Sequence, residues 1–443
     1  MQHSPKVIIV GAGFAGLQAA QSLGRSGAEV LLIDQHNYHT FVPLLYQVAT
    51  AQIEPGQATL PIRTLLRRFA PRSSRAGVRF LRTTVQRVDL KNRIVETEGG
   101  PLPYDYLVLA TGSKPQFLGV SGVAQHGLLL GSLEDAIVLR SHILKQFEAA
   151  AWEPDPQRRQ QLLTFTIVGG GATGIEVAGA LTELIRGPLK RDYSTLDLRQ
   201  VQIILLHAGD RLLAELPSSL GDYTRKRLRQ IGVEVYLQAR VNRVTEDTVY
   251  LTNGQKIPTE TVIWTAGLDA NLLAGTEHLP TATRNRVFVR PTLQVPGYPE
   301  VYAIGDTAHI EQQGKPLAGV APEALQAGVT VARNIQRQMR GRDPQPFQYF
   351  NKGRLAIIGC FSGVGKVGPV LLTGFLPWLM WLTVHLVYLP GFRNRLLLLI
   401  SWLHAYFFND RSVRLIQPGF SSMGASFQAS ASQDPPDRKQ NFS

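Results

Sequence analysis

Residues 7–34 open with Val7-Ile8-Ile9-Val10, turn through Gly11-Ala12-Gly13-Phe14-Ala15-Gly16, and continue as Leu17-Gln18-Ala19-Ala20-Gln21-Ser22-Leu23. After a break expected at Gly27 comes Glu29-Val30-Leu31-Leu32-Ile33-Asp34. The order is apolar strand, G-x-G-x-x-G turn, helix, second strand, acid. A dinucleotide-binding fold needs each piece: Gly11 permits the tight turn, and Gly13 lets a pyrophosphate approach the amides at the helix N-terminus. Gly16 lets the helix lie close on the strand, Phe14 and Ala15 complete the loop, and Asp34 can accept from an adenosine ribose.

The pattern recurs. Phe165-Thr166-Ile167-Val168 runs into Gly169-Gly170-Gly171-Ala172-Thr173-Gly174, 158 positions after the first loop. Ala110-Thr111-Gly112 closes the first unit, and Thr265-Ala266-Gly267 closes the second 155 positions on. Two correlated offsets predict an internal duplication, with two dinucleotide sites in one chain. Gly169, Gly171, Thr173, Gly174 and Gly267 are the second site's candidate contacts. A third signature, Val301-Tyr302-Ala303-Ile304-Gly305-Asp306, ends a short strand where Asp306 can bond a flavin's ribityl chain.

Composition bounds what else the chain can be. Of its 443 residues, 44% are hydrophobic and 18% charged, which excludes disorder for the bulk and predicts two or three domains. The formal net charge of +13 asks for an anionic partner: nucleic acid, anionic lipid or a phosphorylated ligand. The basic residues read as dispersed, with no run interleaved with aromatics, so nucleic acid is not expected. One cysteine, Cys360, excludes a Cys-x-x-Cys redox pair and a thiolate metal cluster, and no metal site is expected. The four-residue apolar run at 7–10 is too short for a signal peptide, so the body of the protein is expected in the cytoplasm. Residues 421–443 read as a flexible tail.

Taken in order, the two glycine loops, Ala110-Thr111-Gly112 and Gly305-Asp306 resemble the two-dinucleotide-binding flavoproteins over about residues 7–310. That resemblance implies FAD on the first loop and NAD(P)H on the second, in an α/β fold of two Rossmann-like domains. It divides the chain into an FAD domain at 1–118 and 286–350, an NAD(P)H domain at 119–285 and a C-terminal segment at 351–420. The lone cysteine disfavours the disulfide reductases and sulfide oxidoreductases of this superfamily. The stretch His39-Thr40-Phe41-Val42-Pro43-Leu44-Leu45-Tyr46-Gln47-Val48-Ala49 resembles the flavin flank of type II NADH dehydrogenases, the non-proton-pumping NADH:quinone oxidoreductases. Thr40, Pro43 and Leu44 are thereby implied at the flavin. Gly319 to Gly328 falls where that family carries Ala-Gln-x-Ala-x-Gln. Here Pro322 replaces the first Gln, while Gln326 matches the second and is implied at the quinone carbonyl. Phe350-Asn351-Lys352-Gly353 resembles the family's late Lys-Gly segment and puts Lys352 near the flavin.

The family also implies a hydride relay from NADH through FAD to a quinone, an important Glu at position 176, and a peripheral homodimer on the inner face of the cytoplasmic membrane. A first-turn Glu is also explained by the helix dipole. At the end of the strand Val201–Leu206, NADH-selective relatives usually present Glu, whereas this chain has His207, with Arg211 nearby. NADPH is therefore expected as an alternative donor. Equally, His207 can simply end the strand.

Residues 370–389 (VLLTGFLPWLMWLTVHLVYL) carry no formal charge with His385 neutral, and 396–408 (LLLLISWLHAYFF) follow Arg393 and Arg395. Twenty apolar residues reach the length of a membrane-spanning helix, but Pro377, Thr383 and His385 interrupt the first run and thirteen are too few in the second. We expect two amphipathic helices lying in one leaflet as a membrane anchor. Trp378, Trp381, Tyr388, Trp402 and Tyr406 would sit at the interface, and the flanking arginines, Arg411 and Arg414 included, on headgroups. A dimer interface and a spanning hairpin are the other readings. The competing functions are a soluble reductase of a ferredoxin-like acceptor, which would not need the anchor, and a flavin-containing redox sensor that binds nucleic acid.

Overall fold

The computed structural model describes residues 4–69, 77–411 and 413–417. The tail expected at 421–443 lies outside the described residues. Val7 to Val10 are buried in the strand Lys6–Val10, an inner member of a six-stranded sheet. Across that sheet lie Gln294–Val295, Tyr298–Ala303, Tyr106–Leu109, Lys6–Val10, Glu29–Asp34 and Gly77–Arg82. Every pairing except the Gln294–Val295 edge is parallel. Parallel strands are covered on both faces, and so they read as unbroken apolar runs.

The second sheet has five parallel strands: Gly127–Leu129, Thr261–Trp264, Thr164–Val168, Gln202–Leu206 and Val233–Tyr236. In both sheets the loop-bearing strand lies between the strand that leads to Gly112 or Gly267 and the strand that leads to Asp34 or His207. Each unit also carries a three-stranded antiparallel insert, Val85–Asp89 to Gly100–Pro103 in the first and Val241–Val244 to Lys256–Pro258 in the second. The duplication thus extends to strand order and to an insert that the glycine motifs do not mark. The first loop's helix, Phe14–Leu23, is capped by Gly24, so it ends before Gly27. Gly27, at φ +84°, turns the chain back toward the sheet instead.

The C-terminal expectation needs three corrections. Val370–Gly374 is not helical: it pairs antiparallel with Ser362–Val367 and closes a sheet begun by Arg354–Gly359. Gly374 (φ +82°) then turns into the helices Phe375–Tyr388 and Phe392–Phe408, the second of which starts four residues earlier than its apolar run. Pro377 occupies the first turn, where its missing N–H has no intrahelical partner to lose. Second, Trp378, Trp381 and Trp402 are 5%, 1% and 3% exposed, so they are core and not interfacial. Each indole buries about 200 Å², which at about 25 cal/mol per Å² contributes roughly 5 kcal/mol. Third, Arg411 is buried. It donates to the carbonyls of Thr50 (2.7 Å) and Ala180 (2.9 Å) and pairs with Glu183 (2.9 Å). Arg414 pairs with Asp192 and Asp410, both at 2.7 Å. Both arginines fasten the chain end to the body.

The hairpin's other face stays bare: Leu376, Leu379, Val387, Leu396, Ile400 and Phe407 are each at least 46% exposed except Leu379 at 43%. One side of the hairpin is thus packed on the body while the other presents these apolar side chains, with Thr383, Arg393, Arg395 and His404 also exposed. Among the described residues no helix is long and apolar enough to cross a membrane.

Candidate active site

Both loops show the same steric logic. A Cβ on Gly16 would come closer than 3.0 Å to the Gly11 carbonyl oxygen, and one on Gly174 would meet the Gly169 carbonyl in the same way. Gly11 and Gly169 sit at φ +103° and +129°, which L side chains rarely adopt. By contrast, a Cβ on Gly13 or Gly171 would meet nothing within 4 Å. Those two residues are the N-caps of Phe14–Leu23 and Ala172–Leu184, so free amides face open space at two helix N-termini. This is the cradle that a dinucleotide pyrophosphate requires, and the residues present fit one in each unit.

The acid and its counterpart repeat as well. Asp34 Oδ2 accepts from the Ala12 amide (2.7 Å), and His207 Nδ1 accepts from the Gly170 amide (3.2 Å). Ala12 and Gly170 are equivalent loop positions. His207 therefore keeps the loop-bracing half of the acid's work. Its proton sits on Nε2, and burial lowers its pKa, which keeps the ring neutral near pH 7.

Ala110-Thr111-Gly112 and Gly305-Asp306 are brought together. Thr307 Oγ1 lies 3.1 Å from the Gly112 amide and 3.2 Å from Thr111 Oγ1, and Ser113 donates to Asp306 Oδ2 at 2.7 Å. Arg286, nearly buried, lies 3.9 Å from Asp306 Oδ1. Sequence reading missed Ser113, Thr307 and Arg286; each adjoins a recognised motif or meets one only in space. Gly305 (φ +67°) lies beside Ala15 and so closes this cluster onto the first loop. Under the same loop His39 Nδ1 contacts the Ala12 carbonyl (2.9 Å), and its ring meets Phe14 edge-on. Thr40, Pro43 and Leu44 follow His39, with Leu44 fully buried.

Glu176 lies in the second loop's helix, 8% exposed. Burial raises its pKa to about 8, against hydrogen bonds from the Ile357 amide and from Trp381 that favour the carboxylate. The carboxyl thus sits between the helix of the second loop, the sheet strand Arg354–Gly359 and the apolar hairpin. Around it a buried polar chain runs from Trp402 Nε1 to Gln47 Oε1 (2.8 Å) and from Gln47 Nε2 to the Tyr46 hydroxyl (3.0 Å). His385 stacks on Trp381 at 3.6 Å between ring centroids and faces Phe41 edge-on.

Gln326 and Lys352 are placed differently from each other. Both ends of the Gln326 amide are engaged by the Phe350 backbone, each at 3.0 Å. That pairing uses one N–H of the side-chain amide and fixes its orientation, which leaves the second N–H to donate to a carbonyl. Pro322 stands in the first turn of Ala321–Met339, where Glu323 accepts from the Gly319 amide at 2.7 Å. Lys352 donates to the Tyr388 hydroxyl at 3.0 Å and so touches the hairpin.

Residues 5–328 match the model of the pyridine nucleotide-disulphide oxidoreductase family. The chain is 38% identical over 412 residues to a type II NADH:quinone oxidoreductase of Mycobacterium tuberculosis, covering 90% of this chain and 87% of that one. A second such enzyme of the same organism is 36% identical over 414 residues, covering 90% and 86%. Among solved structures, NDH2 of Plasmodium falciparum in complex with NADH superposes with a TM-score of 0.84 at 20% identity, covering 93% of this chain and all of that one.

Proposed function

Because this chain belongs to the type II NADH:quinone oxidoreductases, within the pyridine nucleotide-disulphide oxidoreductase family, we propose that it passes electrons from NADH through FAD to a membrane quinone without pumping protons. FAD, when bound, supplies the hydride-accepting and two-electron-donating chemistry that the lone thiol of Cys360 does not. The first loop, Asp34 and the Asp306 cluster would hold FAD; the second loop and His207 would hold the nicotinamide nucleotide. The flavin flank from Thr40 to Leu44 and the Lys352 segment would border the flavin, and Gln326, held by the Phe350 backbone, would donate its second N–H to the quinone carbonyl.

The observation that carries the reading is the position of Glu176. One helix starts at the nucleotide loop and presents a buried, proton-holding carboxyl to Trp381 of the apolar hairpin. A proton held at Glu176 up to about pH 8 lies where the nucleotide side and the lipid side of the protein meet. The catalytic role we assign to it is to keep that proton available while quinone is reduced.

The bare face of the hairpin supports peripheral attachment to a membrane, since an exposed apolar patch of this kind marks a membrane or protein contact. Because the opposite face supplies Trp381 and Trp402 to the core, deleting residues beyond 368 would open the protein as well as release it. Charging the bare face, as in Leu396→Glu with Leu403→Glu, separates the two effects. We further read the enzyme as a homodimer on the inner face of the cytoplasmic membrane; sedimentation in detergent measures the dimer. A soluble reductase would use that bare face for its protein acceptor, and charging it would then cost electron transfer without changing membrane binding.

The direct test is purification from detergent-extracted membranes. A yellow flavin spectrum should bleach on adding NADH, and its colour should return with a quinone under anaerobic conditions. A flavin that NADH bleaches but quinone leaves reduced would exclude the proposed acceptor.

A further inference from the structure

The basic surplus is not dispersed, contrary to the reading of the sequence alone. Residues 55–88 contain eight arginines and no Asp, Glu or Lys, and residues 344–409 contain five basic residues and no acid. Those thirteen charges equal the whole formal net charge of +13; elsewhere 33 basic residues meet 33 acidic ones. The two stretches are far apart in sequence, yet the fold joins them. Asn394 donates to the carbonyls of Gly56 and Thr59, both at 3.0 Å, and Gln57 Nε2 donates to Ser401 Oγ at 2.8 Å. Leu60 packs beside Gly391, where a Cβ would come within 2.6 Å of it.

The joint falls at the apolar hairpin. Arg393 is exposed at the start of its second helix, and Lys352 bonds Tyr388 near the end of the first. Lys366 is exposed beside the strand that carries Val370 and Leu371, both of which are bare. Arg63, Arg67 and Arg68 are exposed a few residues beyond Leu60. Not every charge of the two stretches is free there: Arg79 pairs with Glu29, Arg354 lies 4.0 Å from Glu323, and the exposed Glu54 precedes the first stretch. Arg63, Arg67, Arg68, Lys352, Lys366 and Arg393 remain, and an apolar face with these basic side chains about it has the chemistry of a surface that meets acyl chains and negative headgroups together.

We propose that this face binds anionic phospholipid in the bilayer, with the hairpin's bare leucines and phenylalanines entering the acyl layer and the arginine-rich rim engaging headgroup phosphates. The inference rests on the membrane attachment proposed above and adds to it a lipid class. Continuity of the charged rim with the bare apolar face favours lipid over nucleic acid, which has no use for exposed leucine. Each basic side chain brought near an anionic surface strengthens binding about fivefold, and salt screens the effect.

The test is flotation of the flavin-loaded full chain with two kinds of vesicle, pure phosphatidylcholine and phosphatidylcholine containing about one third phosphatidylglycerol, in the range of anionic cytoplasmic leaflets. Binding to the anionic vesicles should be at least tenfold tighter and should weaken toward the neutral value in high salt. The triple variant Arg67→Gln, Arg68→Gln, Arg393→Gln should lose most of that advantage while keeping its flavin spectrum, its bleaching by NADH and its binding to neutral vesicles. Equal binding to both vesicles, independent of salt, would overturn the lipid class and leave attachment standing. Binding to neither would overturn attachment itself. Equal affinity for a nucleic acid duplex would also overturn the lipid assignment.

Discussion

Replacing Glu176 by Gln removes one titrating proton from a buried site and almost nothing else. In the folded protein the carboxyl holds its proton up to about pH 8, against an ordinary value of 4.5. Between those values the native state binds more protons than the unfolded state, so stability falls as pH rises. Each pH unit in that window is worth about 1.4 kcal/mol. The wild-type protein should therefore lose about 3 kcal/mol more between pH 6 and pH 8 than the Gln variant does, and about 5 kcal/mol across the whole window. Above pH 8 the burden is complete and the difference levels off. Groups that titrate in both proteins cancel in this comparison, His36 and His207 among them. The amide adds a buried donor, which shifts stability by about 1–3 kcal/mol at every pH but leaves the slope unchanged. Urea unfolding in mild detergent, followed by tryptophan fluorescence at several pH values, measures the two slopes. Anaerobic mixing of the NADH-reduced enzymes with quinone gives the functional counterpart: reoxidation should slow at least tenfold in the variant while bleaching by NADH is preserved. Parallel pH slopes would mean that Glu176 is ionised in the folded protein, and the proton-holding role would fail with it.

Gly16→Ala should abolish flavin retention, because its methyl group would collide with the Gly11 carbonyl. Gly174→Ala should keep the yellow spectrum and lose bleaching by NADH; absorbance of the two purified variants separates the sites. Arg411→Met should destabilise the protein by about 3 kcal/mol, since it strands the partly buried Glu183. Adding Glu183→Leu should recover most of that loss in thermal unfolding. His207→Glu should raise the ratio of kcat/KM for NADH over NADPH at least tenfold, because a carboxylate accepts from ribose hydroxyls and repels a 2′-phosphate. A wild-type enzyme already strongly selective for NADH would refute the relaxed reading of His207.

The glycine loops were legible because their constraint is local. Gly16 meets the Gly11 carbonyl five residues back, Gly11 needs a positive φ, and Gly13 leaves the helix N-terminus open, so each need follows from the spacing of the motif. Asp34 and His207 were legible for a related reason: each ends a strand that pairs directly with the loop-bearing one. Ser113, Thr307 and Arg286 were not, because what gathers them is contact across the chain: Ser113 to Asp306 spans 193 residues, Thr307 to Gly112 spans 195, and Arg286 to Asp306 about 20. No spacing rule links them.

The C-terminal segment marks the boundary most clearly. Its composition established that it is apolar and rich in tryptophan, with one run of spanning length and one short of it. It could not say which way each residue faces, because a helix that is apolar over most of its circumference has little preferred orientation in its own sequence. That choice was made by partners far along the chain, among them Gln47 for Trp402, Glu176 for Trp381 and Glu183 for Arg411. Charge followed the same course. The total of +13 was plain from counting, whereas the placing of part of it beside one apolar face depended on Asn394 and Gln57 drawing two distant stretches together. Local sterics and composition are properties of neighbouring residues and can be read from the chain; facing and adjacency arise from long-range packing and exist only once it has folded.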